Sequence, residues 1–203
     1  MIFIGYSGHA YVVYGILRAA GQAVTGYCDK EEKQANPFQL DFHGPELSEN
    51  ALSLLIKSGC FIAVGDNIIR NNIFNQISLR NIRVFNAIHP GSLIDHSAIL
   101  ANNGVMIAAN VTINPLASIG VGAICNTACV IEHECIVGNF SHIGPGAVLC
   151  GNVKVGNGSF VGANAVVKQG VQIGNNVMIG AGTVVISDVA DNALIIGNPG
   201  RGI

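Results

Sequence analysis

Charge is what this chain lacks most. Only 11% of its 203 residues are Asp, Glu, Lys or Arg, the net charge at pH 7 is −2, and no basic block occurs. A nucleic-acid backbone is therefore not an expected partner. Long apolar runs are missing too. Half of the residues are hydrophobic, but Gly, Asn and His interrupt every stretch before it is long enough to cross a bilayer, so no membrane span is expected. The start, Met1-Ile2-Phe3-Ile4-Gly5, has neither a basic segment nor a cleavage site and reads as a first strand. None of the six cysteines forms a C-x-x-C pair. Cys125, Cys129 and Cys135 fall at positions of a six-residue repeat that want a small hydrophobe, and Cys28, Cys60 and Cys150 are scattered. The expectation is buried, reduced thiols in a cytoplasmic protein. Low charge on so repetitive a chain also suggests surface buried against other subunits.

What the chain does have is a beat of six residues. From Ile107 to Ala190 an aliphatic or small apolar residue opens every unit: Ile107, Ile113, Ile119, Cys125, Ile131, Val137, Ile143, Leu149, Val155, Val161, Val167, Ile173, Ile179, Val185. Four residues after each opener stands another small or β-branched side chain, from Val111 and Ala117 through Cys135 and Ser141 to Thr183 and Val189. The stretch divides into fourteen units with neither insertion nor deletion. No helix has that period, and no ordinary meander keeps it so long. One short strand and one tight turn make a flat side, and three sides close a coil of about eighteen residues. Openers point into a prism, the fifth residue lies near the corner, and Gly or Asn takes the turn geometries that other side chains resist. Each stacked coil is then stabilised mainly by its neighbours.

Before the beat, strands alternate with helices. Ile2–Ile4 and Val24–Cys28 read as strands, with a helix between them through Leu17 that stops near Gly21. Gln34–Pro45 looks like a loop, and Leu47–Lys57 like a helix starting near Pro45 or Ser48. Cys60–Val64 is a strand, Ile68–Leu79 an amphipathic helix with Arg70 and Arg80 outside, and Arg83–Ile88 a further strand closed by His89-Pro90. This alternation argues for a small parallel α/β sheet of Rossmann-like type over residues 1–90. The repeat domain then occupies 91–190, with Ile94–Ala98 as a first repeat interrupted by Asn102-Asn103-Gly104. Residues 191–203 form a tail that contains Gly197-Asn198-Pro199-Gly200-Arg201.

Two groups of residues suggest chemistry. Gly5-Tyr6-Ser7-Gly8-His9, between a strand and a helix, offers backbone N–H groups to a diphosphate, although a tight turn alone explains it equally well. It is not G-x-G-x-x-G, and no P-loop lysine follows. Asp29 stands where α/β nucleotide binders place an acceptor for ribose or base, with a helix cap or a solvated acid as the other reading. The second group is Asn126, Glu132-His133-Glu134, Ser141-His142 and Gly151, where ionisable residues are otherwise rare. A lone His in such a turn is a surface residue. One flanked by carboxylates can be oriented, fixed in one tautomer and stabilised as a cation, which suits a base that takes a proton from an amine or hydroxyl.

The hexad pattern resembles the hexapeptide-repeat acyltransferases, whose repeats form a left-handed parallel β-helix. The segment from Asn126 to His142, Gly5–His9 and Phe61–Arg70 are similar to the bacterial UDP-4-amino-sugar N-acetyltransferases of the bacillosamine pathway and to the related sialic acid O-acetyltransferases. The resemblance implies that acetyl-CoA is the co-substrate and that no metal is needed. In it His133 is the general base and Glu134 its orienting partner. His142 lies close to the thioester, the Gly151 N–H binds the acetyl oxygen, and Gly197 and Pro199 contact the CoA arm. Ser7, Gly8, His9, Asp29, Gly65, Asn126 and Glu132 hold the nucleotide-sugar. Two positions depart from the pattern: Lys30 stands where many relatives have a second Asp, and Gly200 where they have Ala. The resulting expectation is direct N-acetylation of a UDP-linked 4-amino sugar by a cytoplasmic homotrimer, with O-acetylation of a sialic-acid-like sugar as the alternative. A remoter alternative is a zinc β-helix protein of carbonic-anhydrase type using His96, His133 and His142.

Overall fold

The computed structural model describes residues 1–203. Its first unit is a four-stranded parallel sheet built from β1 (Ile2–Ile4), β2 (Gly26–Cys28), β3 (Asp41–Phe42) and β4 (Cys60–Ile62), in the order β3-β2-β1-β4. The connecting helices are α1 (Gly8–Ala19), α2 (Glu49–Ser58) and α3 (Asn67–Ser78). Alternation along β1 divides its side chains between two cores. Ile2 and Ile4 join a ten-residue cluster with Leu55 and Ile77, while Phe3 faces the other way, with Val13 and Leu17 of α1, into a core continuous with the second unit. Ser48 caps α2 by accepting from Ala51 N, and Asp66 caps α3 by accepting from Ile69 N at 2.9 Å.

The second unit is the prism that the hexads demand, a left-handed parallel β-helix with three faces. Two-residue strands stack eighteen residues apart, so that Ile131 stands opposite Leu149 and His142 opposite Phe160. Ile124–Cys125 and His142–Ile143 lie on the first face, Val130–Ile131 on the second, and Ile136–Val137 on the third. Openers and fifth residues alike are buried, from Ile107 and Val111 to Ile179 and Thr183. Cys125, Cys129 and Cys135 are among them, and all six thiols are unpaired. The corners need left-handed backbone. At Ala128, Glu134 and Phe140, side chains with φ between 55° and 61° accept it without glycine.

Four readings change. The strand expected over Arg83–Ile88 divides: Val84 bridges to Cys60 of the first sheet, whereas Ala87–Ile88 already pairs with Met106–Ile107 of the prism. The Asn102–Gly104 interruption is one extra residue in the first coil, which sets Leu100 opposite Ile119. The beat also shortens near its end. Val189 bridges to Ile173 and so takes an opener's place instead of a fifth residue's. Beyond it, Leu194–Ile196 continues the first face by pairing with Met178–Ile179, and Arg201–Gly202 folds back antiparallel on it. Finally Arg70, expected outside its helix, is 1% exposed. Arg80 lies outside as expected.

Candidate active site

The strand β1 ends at Ile4 and is followed by Gly5, whose φ of 86° turns the chain and whose missing side chain leaves room for Val64. Ser7 precedes α1 and makes no side-chain cap, Gly8 begins the helix, and both are exposed. Asp29 braces this turn. Its Oδ2 accepts from Tyr6 N at 2.9 Å, and its Oδ1 takes Lys30 N at 2.7 Å and Lys33 Nζ at 3.0 Å. Most of the carboxylate is thus spent within the chain, leaving Oδ2 with free acceptor capacity. Gly5, Ser7, Asp29, Lys30 and Gly65 line a cavity of about 390 Å³. Gly65 and Asp66 are shared with a second groove of about 610 Å³, which runs along the prism past Phe160 and Met178.

His9 points from α1 toward the prism, and its ring centre lies 6.3 Å from that of His142. Gly65 packs beside His9, Phe160 meets His142 edge-on at 4.9 Å, and Asn126 Nδ2 lies 3.1 Å from His142 Nε2. His9 Nε2 and His142 Nδ1 are buried without a hydrogen-bond partner. Burial first, and the Arg70 charge second, lower the His9 pKa to about 4 and that of His142 to about 3. Both rings are therefore neutral near pH 7.

His133 and Glu134 occupy another corner. His133 Nδ1 is 3.1 Å from Glu134 Oε2, both side chains are about half exposed, and the pairing leaves Nε2 free. A Cβ on Gly151 would stand 2.5 Å from His133 Cε1 and Nε2, so only glycine lets the imidazole lie over this backbone. The Gly151 N–H has no acceptor within the chain. Glu132 is half buried beside them, and Gly197 and Pro199 lie exposed at the far end of the first face.

The chain thus gathers two half-sites. Asn126 begins the corner between the first and second faces, and its amide reaches His142. His133 belongs to the corner between the second and third. A whole face separates them. Burial also raises the Cys135 thiol to about 11, which leaves no thiolate to carry an acyl group. No group of three His, Cys, Asp or Glu residues is placed to hold a metal, and His96 is almost fully exposed beside Asp95. Sequence reasoning missed Arg70 and Phe160. The stripe Asn67, Arg70, Phe74, Ile77 carried a signal for the arginine, since its i, i+3, i+7 spacing places it on the buried side of α3.

A left-handed β-helix of hexads carrying an exposed His–Glu pair beside an open glycine N–H defines a class, the hexapeptide-repeat acyltransferases. Residues 1–77 match the PglD N-terminal domain family, and residues 152–187 match the bacterial transferase hexapeptide (six repeats) family. PerB from Caulobacter crescentus, solved with CoA and GDP-perosamine, is 36% identical with a TM-score of 0.92, the match covering 100% of this chain and 96% of that one. The acetyltransferase domain of PglB from Neisseria gonorrhoeae, solved with acetyl coenzyme A, is 29% identical with a TM-score of 0.89, covering 100% and 98%. WeeI from Acinetobacter baumannii, at 20% identity and a TM-score of 0.86 over 100% and 98%, shares the fold. The chain belongs to the hexapeptide-repeat sugar acetyltransferases and is an acyltransferase.

Proposed function

We propose that this protein transfers the acetyl group of acetyl-CoA directly to the 4-amino group of a nucleotide-linked sugar. The observation that carries the reading is the His133–Glu134 pair lying over Gly151. Glu134 holds Nδ1, so Nε2 faces outward to take a proton from the attacking amine as the tetrahedral centre forms. The Gly151 N–H supplies the oxyanion with a donor that no group in the chain consumes. The leaving group is the CoA thiolate, and the proton held by His133 is the one available to it. Support also comes from the Caulobacter enzyme, of which two variants of one and the same histidine were captured with CoA and GDP-perosamine.

The cavity bounded by Gly5, Ser7, Asp29 and Gly65 is the place for the nucleotide, and the groove past Phe160 leads from it along the prism. Two separated half-sites favour a homotrimer. The second face presents Thr112, Val130, Val148, Val166 and Val184 outward, with Leu93 70% exposed and no charge in the row. Three such faces packed about a threefold axis bring the Asn126–His142 corner of one subunit to the His133–Gly151 corner of the next. CoA then lies between neighbouring prisms, with its far end toward Gly197 and Pro199. No helix of the protein is long and apolar enough to cross a membrane, and six unpaired thiols suit the cytoplasm.

A thiol-release assay tests this with acetyl-CoA and a panel of UDP- and GDP-linked amino sugars, together with free sialic acids. UDP sugars come first on the resemblance to the bacillosamine enzymes, and GDP sugars second because PerB was captured with GDP-perosamine. Release stimulated by a nucleotide-amino-sugar is the expected result. Release stimulated only by a sialic acid would move the assignment to O-acetylation.

A further inference from the structure

All five N–H donors of Arg70 are matched by five acceptors. Nε donates to Gly122 O at 2.8 Å, and one terminal nitrogen donates to Val64 O at 3.1 Å and Gly65 O at 3.0 Å. The other donates to Asn67 Oδ1 at 2.8 Å and Phe140 O at 2.9 Å. Two of these carbonyls belong to the prism, two to the turn that follows β4, and the fifth oxygen is the Asn67 side chain on the first turn of α3. No carboxylate touches the guanidinium, although it is 1% exposed. Burying a full charge among carbonyls is costly, and a helix could be held down by apolar contacts alone.

The neighbours show what is being held. Asn67 Nδ2 reaches Gly158 O at 3.0 Å and Ser159 O at 3.2 Å, on the next coil. Phe74 lies against Phe140 with ring centres 5.3 Å apart. Gly122 has no side chain because the Phe140 ring occupies that space. Asn67, Arg70 and Phe74 are therefore one stripe of α3 fitted to the corner between the third and first faces. The same arginine fixes Val64–Gly65, the turn that borders both the nucleotide cavity and the prism groove and that packs on His9.

We infer that Arg70 is a positioning residue for acetyl transfer, fixing the α/β unit on the prism so that the acceptor amine meets the thioester. The inference rests on the proposed assignment of the acceptor to the α/β unit. The two units bind their substrates separately, and Arg70 sets the distance and angle between them. Near-attack geometry tolerates little error, so loosening this joint costs turnover and leaves binding largely intact.

Arg70→Lys keeps the charge but offers three donors to five acceptors. The expected result is a fall in kcat of roughly 10–100-fold, the scale on which misplacement acts. Dissociation constants for CoA and for the nucleotide measured by calorimetry should stay within about twofold, under half a kcal/mol by the affinity relation. Hydrogen exchange should quicken at the amides of Val64–Arg70 and not in the prism coils. Asn67→Ala, which leaves the arginine four acceptors, should show the same pattern at smaller size, and it carries the test if Arg70→Lys does not fold. Hydrogen exchange unchanged at 64–70 in the folded variants overturns the inference, as does a loss confined to substrate affinity. Quickened exchange in a protein whose wild type acetylates none of the nucleotide-amino-sugars leaves the joint in place and overturns the assigned function instead.

Discussion

The prism and the α/β unit on top of it are held together in opposite ways. In the prism every coil repeats the same contacts with the coils above and below, so openers such as Ile131 and Leu149 are interchangeable in kind. In the α/β unit nothing repeats. One face of its sheet depends on a ten-residue cluster around Leu55 and Ile77, and its seat on the prism combines the apolar core shared through α1 with one polar stripe of α3 headed by Arg70. The difference teaches where each task can be placed. A self-similar stack offers the same backbone N–H groups at many levels and gains an active corner from a few exceptional side chains. An irregular unit can shape a cavity for a particular acceptor but must then be fixed to the stack by dedicated contacts.

The harshest way to test this division is to remove the irregular part. A chain beginning at residue 84 keeps Ala87–Ile88, which belongs to the prism. On the proposed assembly it should form a trimer that binds CoA, with transfer to nucleotide-sugars abolished in the thiol-release assay. Full activity in that fragment would place the acceptor site wholly on the β-helix. Next in size is His133→Ala, which should lower kcat by about 10²–10⁴, the usual contribution of a positioned general base, with CoA affinity unchanged in calorimetry. Equal losses in binding and turnover would make His133 a binding residue.

Smaller changes sharpen the comparison. Ile131→Ala and Leu55→Ala each empty a fully buried site and should each cost about 2–5 kcal/mol. The first should lower the main unfolding transition, that of the prism. The second should release only the α/β unit, seen as a separate, lower transition in calorimetry. Asp29→Ala should raise the Michaelis constant for the nucleotide-sugar through roughly 0.5–3 kcal/mol of lost hydrogen bonding, and leave that for acetyl-CoA nearly unchanged.

Acid should act at the junction. His9 and His142 have folded-state pKa values lowered to about 4 and about 3 from an unfolded 6.5. Between those values the unfolded chain binds more protons than the folded one, so stability falls as the pH is lowered from about 6.5 toward 3. Hydrogen exchange followed across that range should quicken first in α1 and around Gly65. Uniform loosening of all coils would contradict the placement of these rings.

Most of the prism was legible because its period states its geometry. Ile107 to Val185 read directly as interior positions, and so did Cys129 and Cys135 at the fifth place. The shortened last coil was not legible, since Val189 is an equally good opener and fifth residue and only its bridge to Ile173 decides. Of the candidate site, a carboxylate beside His133 could be anticipated from residue types, while the choice of Glu134 and the role of the Gly151 N–H came from the family resemblance alone. The separation of His133 from His142 was implicit in the period, since nine residues are one and a half hexads and put the two on different sides of the coil, but grouping them by residue type overlooked it. Arg70 was misplaced because a charge on an amphipathic helix ordinarily faces water, and its five acceptors are mostly backbone carbonyls, which no residue type announces.

The claim that a working site takes one corner from each of two subunits has a direct test. His133→Ala and His142→Asn are each expected to be inactive as homotrimers. When the two are unfolded together in equal amounts and refolded, about a quarter of the sites in randomly mixed trimers of cyclic symmetry join an intact His142 corner to an intact His133 corner. The account predicts that activity returns to about that fraction of wild type in the thiol-release assay. Mixed trimers that form, as shown by mass spectrometry, and yet stay as inactive as either parent would contradict it.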